Sequence, residues 1–208
     1  MTIFSSRPTT LSLMITIFSR QLTERKQAFC ACFKIFLALF ALETIPAGIA
    51  RSEERRPIDI SSQAFTPAGH IPERYTCEGL DNSPELAWTN VPNDAKSLAL
   101  TVDDPDAPSG IFTHWIIYNL PTTVEGLSAG VPRSATLTQG GRQGLNDFGR
   151  IGYNGPCPPP GGLHHYHFRI FALDRSLQFD SDPDGERVRN AIRGHVLAEG
   201  ETIGVFSR

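Results

Sequence analysis

Residues 97–104 read Ser-Leu-Ala-Leu-Thr-Val-Asp-Asp, a run in which alternate side chains are suited to burial. Successive side chains of a β-strand point to opposite faces of the sheet, so alternation indicates a strand with one buried face. The pattern predicts an inward face made up of Leu98, Leu100, Val102 and Asp104. On the same pattern, Asp103 is predicted to face solvent.

Two further stretches alternate in the same way. Residues 114–120 are predicted to place on one face His114, Ile116, Tyr118 and Leu120. Residues 163–173 form the longest predicted strand, with one face carrying His164, Tyr166, Phe168 and Ile170, and the other carrying His165, His167 and Arg169. Residues 202–206 are predicted to form a closing strand. Residues 51–208 also contain 14 Pro and 17 Gly. Short strands and frequent turns predict an all-β sandwich with a few peripheral short helices.

One helix is predicted near the C-terminus. Asp182 is suited to the N-cap and Pro183 to the first turn. Apolar residues then recur at helical spacing until Gly200 ends the pattern, at Val188, Ala191, Ile192 and Val196. His195 lies on the same stripe and is interpreted as a packed helix residue rather than a ligand.

The charge is distributed unevenly along the chain. Residues 1–50 hold five basic and two acidic side chains, for a net charge of +3, whereas residues 51–208 hold 14 basic and 20 acidic side chains, for a net charge of −6. Lys96 is the single lysine of the second part. Binding to nucleic-acid phosphates requires a basic surface, so the composition argues against a nucleic-acid partner.

Residues 1–50 have the features of a secretory signal. Arg25 and Lys26 precede a short apolar stretch whose uninterrupted part is Ile35–Leu42, and small residues then lead up to Ala50. A membrane span needs roughly 20 apolar residues, so a stable membrane anchor is not expected. We predict a targeting segment over 1–50 that is cleaved after Ala50, and a single exported domain over 51–208 in the periplasm or outside the cell. The alternative interpretation is a mobile or membrane-associated tail.

Four cysteines are divided between these two parts. Cys30 and Cys32 would leave with the signal, which keeps the pair Cys77 and Cys157 in the exported domain. An exported domain with two cysteines is typical of a disulfide-bonded protein. Two buried free thiols are the alternative.

The candidate chemical groups lie at strand ends. Asp104 directly precedes Pro105, where an aspartate either caps a turn or places a carboxylate at the floor of a cleft. A hairpin returns His114 to its neighbourhood, and His164 enters from the longest strand. These three residues could form a metal site of two histidines and one carboxylate, but no His-Glu-x-x-His motif is present and we predict no metal. No Gly-x-Ser-x-Gly nucleophile motif occurs.

Two motifs carry a specific resemblance. The first is Asp104-Pro-Asp-Ala-Pro108 with His114-Trp115, and the second is Gly152-Tyr-x-Gly-Pro-x-Pro-Pro with Leu163-His-x-Tyr166. In this order and spacing they resemble the phosphatidylethanolamine-binding protein family, in particular its bacterial branch of Raf kinase inhibitor-like proteins. The likeness extends over about residues 58–207.

The resemblance implies an antiparallel β-fold with a small anion pocket at one end of the sheet. Carried over by motif position, the pocket would consist of Asp104, His114, Gly155, Pro158, Pro159, His164 and Tyr166. Its implied ligands are phosphate, phosphoryl head groups of phospholipids and other small anions, held by imidazoles and loop amides while Asp104 orients His114. A non-catalytic binding protein without a cofactor is therefore expected. The alternatives are an inhibitor of a protease or kinase that acts through the pocket rim, and a hydrolase that uses the Asp/His pocket.

Overall fold

The computed structural model describes residues 57–208, so the predicted signal segment over 1–50 lies outside the described residues. Strands dominate this part of the chain: β1 (Asp59–Ser61), β2 (Gly69–His70), β3 (Leu86–Thr89), β4 (Ser97–Asp104), β5 (Phe112–Leu120), β6 (Gly126–Leu127), β7 (Arg142–Gln143), β8 (His164–Leu173) and β9 (Val196–Phe206). A 3₁₀ turn covers Glu73–Tyr75, and helix α1 covers Gly185–Ile192. No helix within 57–208 has the length and apolar character that a membrane crossing requires.

The strands form two sheets. The larger has the order β2-β9-β8-β4-β5-β7, and the smaller has the order β1-β3-β6. All neighbouring strands are antiparallel except β2 and β9, which pair in parallel at one edge. The predicted strand over residues 97–104 coincides with β4, which lies between β5 and β8.

The main core joins the two sheets. It combines Trp88 of the small sheet with residues of the large sheet that include Val102, Trp115 and Phe168, all of which are at most 1% exposed. A second apolar cluster lies on the other face of the large sheet, where Val188 and Ile192 of α1 pack. The predicted all-β sandwich with a short peripheral helix is therefore confirmed.

The predicted helix is correct in position but wrong at both ends. Asp184, rather than Asp182, is the N-cap, and its side chain accepts a hydrogen bond from the amide of Arg187 at 2.8 Å. At the other end Gly194 adopts a left-handed φ of +80°, a conformation that favours glycine and ends helices. Val196 then begins β9, which pairs with β8 along its whole length. Strand pairing thus overrides the helical spacing of Val196, and the predicted closing strand over 202–206 is only the second half of β9.

Two bulges in β5 reverse the predicted alternation. Val102 pairs with Trp115 and Asp103 with Thr113, which leaves His114 as an extra residue on β5. A second irregularity lies further along, between the pairs of β4 with Leu120 and with Ile117. The prediction that His114, Ile116, Tyr118 and Leu120 share one face is therefore wrong. Ile116 and Tyr118 pack on the helix side, whereas Leu120 joins the core between the sheets.

Candidate functional site

A buried pair of polar side chains, Asp104 and His164, lies where β4 ends and β8 begins. The Nδ1 of His164 lies 2.7 Å from Oδ2 of Asp104, and the two side chains are 8% and 4% exposed. The second carboxylate oxygen of Asp104 accepts a hydrogen bond from the amide of Asp106 at 2.9 Å. This turn bond is the capping role expected of an aspartate before proline. The contact with His164 gives the buried carboxylate a side-chain partner as well.

His114 is held by a different partner from the one predicted. Its Nδ1 lies 2.8 Å from the carbonyl oxygen of Asn154, which can only accept, so Nδ1 carries the hydrogen. The expectation that Asp104 orients His114 is wrong, because Asp104 pairs with His164 instead. Burial lowers the pKa of His114 from its ordinary value, although the Asn154 carbonyl and the charge of Asp104 partly oppose this effect. In the neutral ring that burial favours, Nε2 carries a lone pair.

Tyr166 lies between the two histidines. Its ring stacks on His164 with centroids 6.5 Å apart, and it meets the ring of His114 edge-on at 5.2 Å. Within the part of the chain that the structure describes, Tyr166 Oη is buried and has no hydrogen-bond partner. Burial, together with the nearby Asp104 carboxylate, raises the pKa of Tyr166 well above its ordinary range. Its hydroxyl is therefore a neutral donor and acceptor.

Aromatic rings extend from His114 to the surface. The ring of Phe148 contacts those of His114 and Phe112 at 5.4 and 4.8 Å. Phe148 is 41% exposed, and both Ile111 and Leu163 are 54% exposed. Because Ile111 directly precedes β5 and Leu163 directly precedes β8, these apolar side chains flank the site.

The loop over residues 152–160 approaches the site through its backbone. Gly155 packs so closely against the carbonyl of Tyr75 that a Cβ atom would overlap it. The amide of Gly155 donates to Oδ1 of Asp81 at 2.6 Å, so the expectation that this amide serves an anion does not fit the structure. Pro158 is buried and Pro159 is exposed. In the described part of the chain, neither proline is hydrogen-bonded to Asp104, His114, His164 or Tyr166.

Asp81 supports the site, although no motif in the sequence marks it. Besides the Gly155 amide, its carboxylate accepts hydrogen bonds from the Asn154 side chain at 2.9 Å and from Arg133. Arg133 also donates to the carbonyl of Tyr153 at 2.7 Å. Asp81 therefore fixes the loop segment whose Asn154 carbonyl orients His114. No sequence motif marks this role, since it depends on contacts between segments more than 70 positions apart.

A disulfide joins Cys77 to Cys157, with 5.4 Å between the Cα atoms and a sequence separation of 80. The amide of Cys77 also donates to the carbonyl of Pro156 at 3.1 Å. These links connect the 3₁₀-turn region to the proline-rich loop two residues beyond Gly155.

Asp103 is buried rather than solvent-facing, which corrects the prediction. It is 3% exposed and accepts hydrogen bonds from Thr101 and Thr113 at 2.9 and 2.8 Å. Arg189 of α1 completes the set at 2.9 Å. The prediction fails because α1 covers this face of β4, and alternation cannot reveal that both faces of a strand are covered.

The remaining histidines of β8 lie towards the surface. His165 pairs with Asp106, and His167 pairs with Glu201, each at 2.8 Å. The contact with His165 lowers the pKa of Asp106. Across residues 57–208, no three side chains of His, Cys, Asp or Glu are grouped so as to hold a metal ion.

Comparison with known proteins gives the family. The model of the phosphatidylethanolamine-binding protein family matches residues 61–207. The chain belongs to this family. That assignment confirms the resemblance of the two motifs, and the family's fold accounts for the sandwich described above.

Several relatives span the same domain. A UPF0098 protein of Methanothermobacter thermautotrophicus is 48% identical over 73% of this chain and 99% of its own length. A phosphatidylethanolamine-binding protein homologue from Chlamydia trachomatis has a similar crystal structure, with 39% identity, a TM-score of 0.66, and coverage of 73% of this chain and 98% of its own. Escherichia coli YbcL, described as a member of the mammalian PEBP family, has 34% identity, a TM-score of 0.69, and coverage of 74% and 99%.

Proposed function

We propose that the cluster of Asp104, His114, His164 and Tyr166 binds a small oxyanion such as phosphate or a phosphoryl group. The observation that carries the proposal is the Tyr166 hydroxyl, which is buried and has no hydrogen-bond partner among residues 57–208. Buried polar groups are nearly always hydrogen-bonded, so an orphaned hydroxyl between two histidines calls for a ligand. The polar atoms not used by the protein, Tyr166 Oη and the Nε2 atoms of both histidines, would contact that ligand.

Binding without catalysis is the activity that this arrangement supports best. No serine or cysteine hydrogen-bonds to His114 or His164 in the described chain, so neither histidine has a nucleophile to activate. The one nearby cysteine on the loop, Cys157, is in a disulfide. Gly155, Pro158 and Pro159 would shape the loop beside the ligand rather than donate to it.

Titration by NMR tests the proposal directly. Adding inorganic phosphate to millimolar concentration should shift the ring signals of His114, His164 and Tyr166 and leave His195 unchanged. His195 contacts Asp174, which directly follows the other end of β8, and therefore serves as the control. A Tyr166→Phe variant should keep the fold and bind phosphate about 3- to 10-fold more weakly, since it loses one hydrogen bond of about 1 kcal/mol. If phosphate shifts none of the three signals, the proposal is wrong.

The exposed apolar rim favours a second candidate, a protein partner that covers the site. Phe148 contacts the ring of His114, and Ile111 and Leu163 directly precede the two strands that carry His114 and His164; all three are exposed apolar side chains, which mark protein-interaction surfaces. Inhibition of a protease or kinase through this rim would be reduced by Phe148→Ser without loss of phosphate binding. Unchanged inhibition in that variant would exclude the rim as the contact.

We also propose export of the domain to the periplasm or cell exterior. The cysteine pair supports it, because disulfides persist in oxidising compartments. N-terminal sequencing of the protein from cell fractions tests this proposal, and the expected start is Arg51. Intact protein confined to the cytoplasm would contradict it.

A further inference from the structure

The polar cluster offers two unfilled hydrogen-bond acceptors, one on Asp104 and one on Nε2 of His114. Asp104 contributes a carboxylate, and each of its oxygens accepts one hydrogen bond from the protein. A carboxylate has about four acceptor positions, so Asp104 retains capacity for a further donor. Neutral His114 donates its only hydrogen to Asn154 and has a lone pair on Nε2. Tyr166 contributes the one hydroxyl that can donate or accept.

The cluster has no arginine or lysine partner. In the described chain, the hydrogen bonds of Asp104, His114 and His164 come from backbone groups or from one another. Nδ1 of His164 lies 2.7 Å from Oδ2 of Asp104, so these two side chains are partners of each other. Other charged groups that act on the cluster are acidic, namely Asp106 towards Tyr166 and Asp103 towards His114. Asp106 is in turn paired with His165.

A fully ionised oxyanion is poorly suited to this cluster, which has unfilled acceptors and, in the described chain, no arginine or lysine partner. Its oxygens can only accept, and Asp104 and the lone pair of His114 would face them without an intervening hydrogen. Two acceptors in contact without a hydrogen repel each other, and a buried acceptor left unpaired costs free energy. An oxyanion that retains one acidic hydrogen removes one of these contacts, because its O–H donates to one of the two acceptors while another of its oxygens accepts the hydrogen of Tyr166.

We propose, on the basis of the proposed anion-binding function, that this site selects oxyanions that still carry a proton, and that phosphate monoesters and inorganic phosphate are therefore preferred over sulfates and phosphodiesters. The O–H of the bound anion donates to Asp104 or to Nε2 of His114. Selectivity thus comes from an acceptor that a sulfate cannot satisfy, and no additional positive charge is needed.

Methyl phosphate and methyl sulfate form a matched pair of probes. At about pH 5, below the second pKa of about 6 of a phosphate monoester, both are single anions of nearly the same shape, and they differ by one hydrogen. A hydrogen bond to a charged group predicts at least about 10-fold tighter binding of methyl phosphate to the wild-type protein. At about pH 8 methyl phosphate has lost that hydrogen, and the ratio of the two affinities should fall at least about 10-fold. Taking the ratio cancels those effects of titrating protein groups that act on both ligands alike.

The Asp104→Asn variant tests whether the carboxylate of Asp104 accepts the hydrogen bond from the O–H of the ligand. An asparagine can still accept from His164 and can now donate to the ligand, so methyl sulfate should bind at least as tightly as methyl phosphate. Asp174→Asn makes the same change beyond the far end of β8 and should keep the wild-type ratio. Dimethyl phosphate, which has the diester linkage of an intact phospholipid, should bind as weakly as methyl sulfate.

Each outcome separates the two proposals. If neither probe nor inorganic phosphate binds, the proposed function is wrong and this inference falls with it. If methyl phosphate and methyl sulfate bind equally at about pH 5, anion binding stands and proton selection is overturned. Equal binding of dimethyl phosphate and methyl phosphate would also overturn it and would point to a lipid head group. The wild-type ratio decides the question even if Asp104→Asn does not fold.

Discussion

Removal of the Cys77–Cys157 bridge should lower the stability of the domain substantially. The two residues are 80 positions apart, so the bridge closes a long loop in the unfolded chain. The loop-entropy relation gives about 4.5 kcal/mol at 25 °C for a loop of this length, which is an upper value because unfolded chains retain some structure. For a domain of this size, that free energy corresponds to a fall in Tm of roughly 10–18 °C.

Urea unfolding of the wild-type protein and of a Cys77→Ser/Cys157→Ser variant measures the effect. Each is followed with and without a thiol reductant. The oxidised wild-type protein should be about 3–4.5 kcal/mol more stable than the variant, and reductant should remove most of the difference. The variant itself should not respond to reductant, which controls for other effects of the reagent.

The slope of the urea transition gives a second readout. Because the bridge restricts the unfolded chain, its removal should expose more surface on unfolding and increase the slope. A difference in stability below about 1 kcal/mol, with an unchanged slope, would show that the bridge does not restrain the unfolded chain and would refute the reasoning.

Three other predictions concern the site and its supports. Arg189→Met should cost about 3–5 kcal/mol in urea unfolding, because it leaves the carboxylate of Asp103 buried without its cation; a cost below about 1 kcal/mol would contradict this account. Gly155→Ala should destabilise the domain by about 1–3 kcal/mol and weaken phosphate binding, since the added methyl group overlaps the Tyr75 carbonyl and displaces the loop; wild-type stability and affinity would show that the loop yields freely. Burial lowers the pKa of His114 in the folded state. Below the unfolded value of about 6.5 the unfolded chain therefore binds the extra proton, and the stability of the fold decreases as the pH is lowered. In His114→Gln that part of the pH dependence should disappear, and an unchanged pH profile would exclude His114 as its source.

The strands that carry the site could be predicted from the sequence. β4 coincides with its predicted range, and β8 begins one residue after the predicted start. Tyr166 and Phe168 lie in the core between the sheets as alternation requires. Alternation succeeds here because a strand with one face on a core selects apolar residues at every second position.

Partner choice within the site could not be predicted in the same way. Asp104 and His114 are close in sequence, yet Asp104 pairs with His164, which is 60 positions away. His114 takes the carbonyl of Asn154, 40 positions along the chain. A bulge at His114 shifts the register of β5, and local patterns do not show a bulge whose cause lies in the pairing of neighbouring strands.

The sequence by itself determined the sandwich, the strands that reach the site and the identity of its polar side chains, because these depend on local alternation and on short motifs. The tertiary structure decided the burial of Asp103 beneath α1, the end of that helix before Val196, and the lack of a hydrogen-bond partner for the buried Tyr166 hydroxyl among residues 57–208. These features depend on which segments meet in space. Whether a buried polar group has a hydrogen-bond partner is settled only when segments that are distant along the chain pack against each other.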